Sequence, residues 1–89
     1  MDRATWEAEL QRDGFELSES AMAAGKHLPD HTHPFDARLY VLSGEITITH
    51  DGEPHTYGPG DNCEVLAGAN HAETVGETEV TYLVGRRSA

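Results

Sequence analysis

Histidine is the residue type whose number and spacing first indicate chemistry in this chain. The sequence holds six histidines among 89 residues, and two of them form the triplet His31-Thr32-His33. In a β-strand, side chains at i and i+2 project from the same face, with Cα atoms about 6.7 Å apart. Two imidazoles at that separation can bind one metal ion at about 2.1 Å each. A third histidine on a neighbouring strand would complete a metal site with open coordination positions.

Glycines frame the histidines at regular distances in two stretches of the chain. Residues 25–44 read GKHLPDHTHPFDARLYVLSG, with five residues between the first glycine and His31-x-His33 and ten before the last glycine. Residues 60–75 read GDNCEVLAGANHAETV, with seven residues between the glycines and two more before His71. Together these stretches resemble the two sequence motifs of the cupin superfamily.

The resemblance covers roughly residues 15–84 and implies both a fold and a site. Cupins are small antiparallel β-barrels whose motif histidines point inward and hold a divalent metal ion. Carried over by position, His31 and His33 are the first two ligands and His71 is the third. Imidazole ligands do not select one metal among Fe, Zn, Ni, Mn, Co and Cu, so the sequence leaves the identity of the ion open.

Three positions depart from the cupin motifs. The motif Glu falls on Ala37, the motif Pro on Leu66 and the motif Asn on Val75. Ala37 cannot bind a metal, so a site of three neutral histidines would keep a net charge of +2 and an extra open position. Some iron cupins that resemble this pattern, such as thiol and β-diketone dioxygenases, also use three histidines without the Glu. The departure at Ala37 is therefore compatible with a working site.

Two carboxylates lie close in sequence to these positions. Strand alternation is expected to point Asp36 to the face opposite Ala37, unless the strand carries a bulge. Glu73 follows His71 by two residues and should share its face, so it is the candidate catalytic residue. Glu73 could be a fourth ligand, a hydrogen-bond partner of a histidine or a general base, and the alternative is a position at the barrel rim, in contact with water only.

The other candidate residues have simpler interpretations. His27 lies about 13 Å from His31 along an extended strand, too far to share an ion. His50 and His55 flank a predicted hairpin turn and are expected to be exposed, and Cys63 is expected to be an inert core residue. The three tyrosines are expected to pack with their hydroxyl groups at the edge of the core: Tyr40, Tyr57 and Tyr82.

The elements that must position these residues are one helix and a series of short strands. Asp2 can cap a helix that carries Trp6 and Leu10 on one face and ends at Asp13-Gly14, and we expect it to pack across a sheet edge or barrel mouth. Five segments between glycines and prolines read as strands: residues 15–23, 38–42, 45–50, 63–66 and 80–84.

Turn signals support this reading. Ile46 and Ile48 alternate with threonines, and Asp51-Gly52 predicts a two-residue hairpin turn. The predicted fold is all-β: a small antiparallel β-barrel of the jelly-roll type with a short N-terminal helix. We expect one domain over residues 1–89, with the helix and turn in 1–14 and the barrel in 15–84.

Composition excludes several functional classes. Six Lys and Arg residues against 16 Asp and Glu give a net charge of −10, which opposes binding to nucleic acid or to an anionic membrane. No apolar run reaches the roughly 18 residues of a membrane span, and the N-terminus has no apolar signal-peptide core. The single Cys63 excludes an intrachain disulfide. We therefore expect a cytoplasmic protein and, because so short a chain buries little core, a homodimer.

Three functional hypotheses follow. In the first, the chain is an enzyme that performs oxygenase- or isomerase-type chemistry on a small anionic or enolisable molecule at the metal. In the second, it is a non-catalytic module that binds or senses a small molecule. In the third, it is a metal-free structural barrel whose inward histidines are hydrogen-bonded to water or to each other.

Overall fold

The computed structural model describes residues 2–88, and the predicted domain ends at residues 1 and 89 lie outside them. One α-helix and eight β-strands follow one another along these residues: α1 (Arg3–Arg12), β1 (Glu16–Met22), β2 (His27–His31), β3 (Phe35–Ser43), β4 (Ile46–His50), β5 (Glu53–Tyr57), β6 (Asn62–Val65), β7 (His71–Val75) and β8 (Val80–Ser88). Within residues 2–88 no helix is both long and apolar enough to cross a membrane.

The strands form two four-stranded antiparallel sheets. Sheet one has the order β1-β8-β3-β6, and sheet two has the order β2-β7-β4-β5. The apolar inner faces of both sheets contribute to one core, in which Ile46 and Ile48 of sheet two join Val41 and Val80 of sheet one. The predicted all-β fold with an N-terminal helix is thus confirmed. Over residues 2–88 the hydrogen-bonded ladders form two facing sheets and do not close into a single ring.

The hairpin between β4 and β5 sets the register of sheet two. Ile46 and Ile48 are fully buried, while the hydroxyl groups of Thr47 on β4 and Thr56 on β5 lie 2.8 Å apart on the other face. Asp51 and Gly52 have φ angles of 50° and 81°, as a two-residue turn with two left-handed residues requires. The predicted turn is therefore confirmed, and β4 ends at His50, the residue before it.

Helix α1 lies on sheet one. Asp2 caps it, because its side chain accepts a hydrogen bond of 2.8 Å from the backbone amide of Thr5. Trp6 and Leu10 are fully buried against Tyr40 of β3 and Leu83 of β8. These two strand residues alternate with the inward-facing core residues, so the outer face of sheet one is itself apolar. The helix covers that face, rather than a sheet edge or a barrel mouth as the sequence suggested.

Gly44 allows the close approach of the β3–β4 turn to β8. Its φ angle is 75°, and a Cβ added there would collide with the Glu79 carbonyl oxygen and lie 2.9 Å from the Cα of Val80. Gly52 has a similar φ of 81°, but a Cβ there would meet nothing within 4 Å.

Gly44→Ala and Gly52→Ala therefore form a matched pair. Both variants place a side chain in the left-handed region, at a cost of about 1–2 kcal/mol. Only Gly44→Ala adds a backbone collision, which should cost a further 1–3 kcal/mol, roughly as for overpacking in a core. Urea unfolding measures the difference, and equal losses in the two variants would contradict the packing described here.

Candidate metal centre

Three histidines lie side by side on the inner face of sheet two. His71 on β7 is paired with His31 on β2 and with His50 on β4. Glu73, two residues further along β7, is paired with Ile48 on β4. Directly paired residues of antiparallel strands share a face, so these side chains point towards the same side as the buried Ile48. His71 is 2% exposed and is the one buried polar side chain of the described residues.

A bulge in β2 brings His31 to this face. Leu28 is paired with Glu73 and His31 with His71, so two residues of β2, Pro29 and Asp30, lie opposite a single residue of β7. His31 stands three positions from the inward-facing Leu28, and in a regular strand this odd spacing would make it point outward. Bulges commonly re-aim a side chain next to a functional site, and this one does so for His31.

Three side chains bring possible ligand atoms together. The ligand atoms of His31, His71 and Glu73 all lie within 4.8 Å of one another, and His31 Nε2 is 3.8 Å from Glu73 Oε2. Two donors that each lie about 2.1 Å from a tetrahedral ion are about 3.4 Å apart. The 3.8 Å between these two atoms exceeds this by a few tenths of an ångström, and the limit of 4.8 Å for the other pairs exceeds it by up to about 1.4 Å, so side-chain movements of that order would complete a site for one ion.

His33 stands beside this group. β2 ends at His31, so His33 lies in the connection to β3 and not in the same strand as the sequence suggested. Its ring stacks on Phe35 at 4.2 Å, and its centre is 5.1 Å from that of His71 and 6.5 Å from that of His31. The predicted ligand His33 is thus adjacent to the cluster of His31, His71 and Glu73, but its ring nitrogens are not among the ligand atoms that lie within 4.8 Å of one another.

The hydrogen bonds of the motif histidines define their tautomers. Nδ1 of His31, His33 and His71 each faces a backbone carbonyl oxygen two residues away in sequence, at 2.8, 2.7 and 3.0 Å. A carbonyl oxygen only accepts, so each Nδ1 must carry the hydrogen. In the neutral rings the lone pair is therefore on Nε2, the arrangement typical of metal-binding histidines. The donor set of imidazole nitrogens and a carboxylate fits a divalent transition metal or zinc.

A cavity of about 220 Å³ opens beside this cluster. Its wall includes Ala37, which faces inward but offers no ligand, and Tyr82, which lines the cavity from β8. Tyr40, by contrast, packs under α1 on the outer face of sheet one. The volume is below the roughly 300–1,000 Å³ usual for pockets that hold drug-sized ligands, so the cavity suits a small molecule.

Asp36 points away from the cavity, as alternation predicts. Its Oδ1 accepts a hydrogen bond of 2.9 Å from the amide of Ala67, and its Oδ2 is 3.7 Å from Nη2 of Arg87. Asp36 is therefore held on the outside of β3 and does not replace the carboxylate missing at Ala37. Glu73, whose side chain is 14% exposed, is the carboxylate that lies beside the histidines.

The remaining histidines divide into two groups. His55 is exposed, as expected, and His27 is exposed with its Nδ1 2.8 Å from the hydroxyl of Thr74. His50 is partly buried and its ring centre is 6.0 Å from that of His71, so the expectation that it is solvent-exposed is wrong. The alternation of Ile46, Ile48 and His50 in the sequence already contained this signal.

The Cys63 thiol takes no part in the ligand cluster. Cys63 is paired with the inward-facing Leu39 and packs against the core. Burial raises the pKa of Cys63 to about 12, the Glu73 carboxylate adds to the rise and Arg38 opposes it. The group is a neutral thiol at pH 7, and neutral thiols are poor nucleophiles and poor metal ligands.

Comparisons with known proteins agree with the fold. The family model of the Cupin domain matches residues 18–85. A cupin superfamily protein from Desulfitobacterium hafniense is 24% identical, with a TM-score of 0.72, over 84% of this chain and 68% of that chain. A search of the curated proteins finds no match.

Two of the similar solved structures are named enzymes. The polyketide cyclase RemF from Streptomyces resistomycificus is 26% identical with a TM-score of 0.70, and the match covers 85% of this chain and 58% of that one. The DMSP lyase DddQ from Ruegeria pomeroyi is 30% identical with a TM-score of 0.74, and the match covers 85% of this chain and 39% of that one.

The tautomers of the motif histidines can be measured directly. In long-range ¹H–¹⁵N spectra of metal-free protein at pH 8, His31, His33 and His71 should each show a protonated Nδ1 and an unprotonated Nε2. His55, which is exposed and has no backbone carbonyl bond to its ring, should show an averaged mixture and serves as the internal control. A protonated Nε2 in His31 or His71 would contradict the hydrogen bonds described here.

Proposed function

This chain belongs to the Cupin domain family, and we propose that it binds one divalent metal ion and acts there on a small organic molecule. His31, His71 and Glu73 would hold the ion, with His33 as a further ligand after a small movement of its ring. The molecule is small and anionic or enolisable, and the reaction is of the oxygenase or isomerase type.

The observation that carries this proposal is the cluster of His31, His71 and Glu73. Their ligand atoms lie within 4.8 Å of one another at the edge of a cavity of about 220 Å³. Hydrogen bonds to backbone carbonyls hold Nδ1 of both histidines, which leaves Nε2 for an ion. A buried imidazole beside a carboxylate is also typical of a purely structural pair, but His31, His71 and Glu73 all line a cavity, which favours a ligand.

The ion and the residues around it would supply different parts of the chemistry. A divalent ion would act as a Lewis acid on an oxygen of the bound molecule and would keep positions open for it. Glu73 reduces the charge of the site from +2 to +1, which still attracts an anion. Tyr82 lines the cavity, and its hydroxyl group would be available to move a proton if Glu73 is a ligand.

Similarity to named enzymes supports an activity without defining the substrate. The polyketide cyclase and the DMSP lyase both share this fold over about 85% of the chain. Since the chain spans only 58% and 39% of their lengths, their own reactions are not transferred to it. One fold hosts many functions, so the substrate must be argued from the cavity.

The second candidate is a binding or sensing module without turnover. The 3.8 Å between Glu73 Oε2 and His31 Nε2 favours it, because a carboxylate that serves as a ligand is not free to act as a general base. Such a module would bind a ligand and release it unchanged, with no uptake of O₂.

Under either function we propose a cytoplasmic homodimer that binds neither nucleic acid nor membrane. Sedimentation of a 9.7 kDa species would contradict the dimer.

Removal of a histidine ligand should abolish metal binding. Elemental analysis of protein purified without chelator or affinity nickel is expected to give about one divalent ion per chain. His31→Ala and His71→Ala should each weaken binding by at least about 100-fold, since loss of even an outer hydrogen-bond partner costs 10–100-fold. His55→Ala removes an exposed histidine and is the matched control. Full metal content in His31→Ala would show that the site is wrongly assigned.

Glu73→Gln separates the possible roles of this carboxylate. The variant keeps the size of the side chain and removes its charge. If Glu73 is a ligand, metal affinity should fall by about 10–100-fold, as measured by competition with a chromogenic chelator. The same substitution at the exposed Glu53 is the control. Unchanged metal affinity would exclude Glu73 as a ligand and would leave general base as its proposed role.

A further inference from the structure

Arg86 lies on the wall of the cavity. On β8 the inward-facing residues alternate with the outward-facing ones, and the inward series of Val80, Tyr82 and Val84 continues to Arg86. Arg86 and Tyr82 both line the cavity that adjoins His31. The sequence motifs do not include this arginine, because nothing in their spacing reaches β8.

The guanidinium of Arg86 has no acidic partner. It lies over the ring of Phe35 at 5.6 Å, and its Nη1 donates a long hydrogen bond of 3.4 Å to the hydroxyl of Ser18. Among residues 2–88 no carboxylate oxygen comes within 4.0 Å of it, although the exposed Glu16 is its register partner on β1. On the other side its register partner is Ala37 of β3.

Three of the other four arginines of this acidic chain have an acidic partner, and Arg38 on β3, which does not line the cavity, is the exception among the described residues. Arg3, Arg12 and Arg87 each have a carboxylate oxygen within 3.7 Å. Arg86 stands instead beside Ala37, the position at which the cupin motif has a glutamate. A carboxylate there would be the cross-strand neighbour of Arg86 and would pair with it. The absence of a carboxylate at Ala37 therefore leaves a free cation on the cavity wall.

We infer that the ligand of this cavity is a small carboxylic acid with a second oxygen donor, and that Arg86 binds its carboxylate. The planar guanidinium matches a carboxylate with two parallel hydrogen bonds, and the Phe35 ring below it keeps the side chain along the wall. The second donor would reach the ion at His31 and His71. This inference rests on the proposed function, because the second donor needs that ion.

Succinate is a suitable probe, and succinamide is its uncharged counterpart of nearly the same shape. Calorimetric titration of zinc-loaded protein should show that succinate binds and that succinamide binds at least about tenfold more weakly. Arg86→Gln should weaken succinate binding about tenfold and leave zinc affinity unchanged. Arg12→Gln changes the net charge equally at an exposed position far from the cavity, and its succinate affinity should equal that of the unaltered protein.

Ala37→Glu provides an independent test from the neighbouring strand. The new carboxylate would lie in the cavity beside both Arg86 and the ion, so succinate should bind about tenfold more weakly while zinc binds at least as tightly. Unchanged succinate affinity in Arg86→Gln, equal binding of succinamide, or no binding of succinate by the zinc-loaded protein would each overturn the inference.

The inference and the proposed function can fail separately. If the unaltered protein binds no zinc, the metal site is wrong. In that case NMR titration of the metal-free protein still tests Arg86, because succinate should shift the Nε–H resonance of Arg86 and leave that of Arg12 in place. No shift would overturn the role of Arg86 as well.

Discussion

The pairing of β7 between β2 and β4 is the constraint on which the site depends. It places His71 between His31 and His50, and it buries His71 almost completely. A slip of one residue would turn every side chain of β7 to the other face and would remove Glu73 from the cluster. The fully buried Ile48, paired with Glu73, sets the register on the β4 side, and the bulge before His31 corrects it on the β2 side.

Charge is distributed unevenly between the outside and the inside of this small protein. The chain carries a net charge of −10, yet the cavity wall presents imidazoles, Arg86 and a single carboxylate, Glu73. The alanine at position 37 contributes to this difference, since it takes away one acidic group where the cupin motif has one. The exterior repels polyanions, and the cavity, with an ion bound, would attract one small anion.

The sequence predicts the fold well and the site in part. Gly and Pro spacing, the Asp2 cap, the Asp51-Gly52 turn and the cupin motifs are local signals, and the structure confirms the elements they predict. β2, β5 and β7 are not among the predicted strands, because they are short and rich in His, Glu and Thr and carry few of the apolar residues that mark a strand.

Non-local effects explain the rest of the difference. The β2 bulge changes which residues face inward and ends the strand before His33, and no periodicity in the sequence reveals a single extra residue. Arg86 acquires its place from pairing with β3, more than 40 residues away in the chain.

X-ray absorption at the edge of the bound metal tests the account most directly. We predict a first shell of imidazole nitrogens and at least one carboxylate oxygen, with no sulfur; a shell of water oxygens alone, or one that includes the Cys63 sulfur, would contradict it.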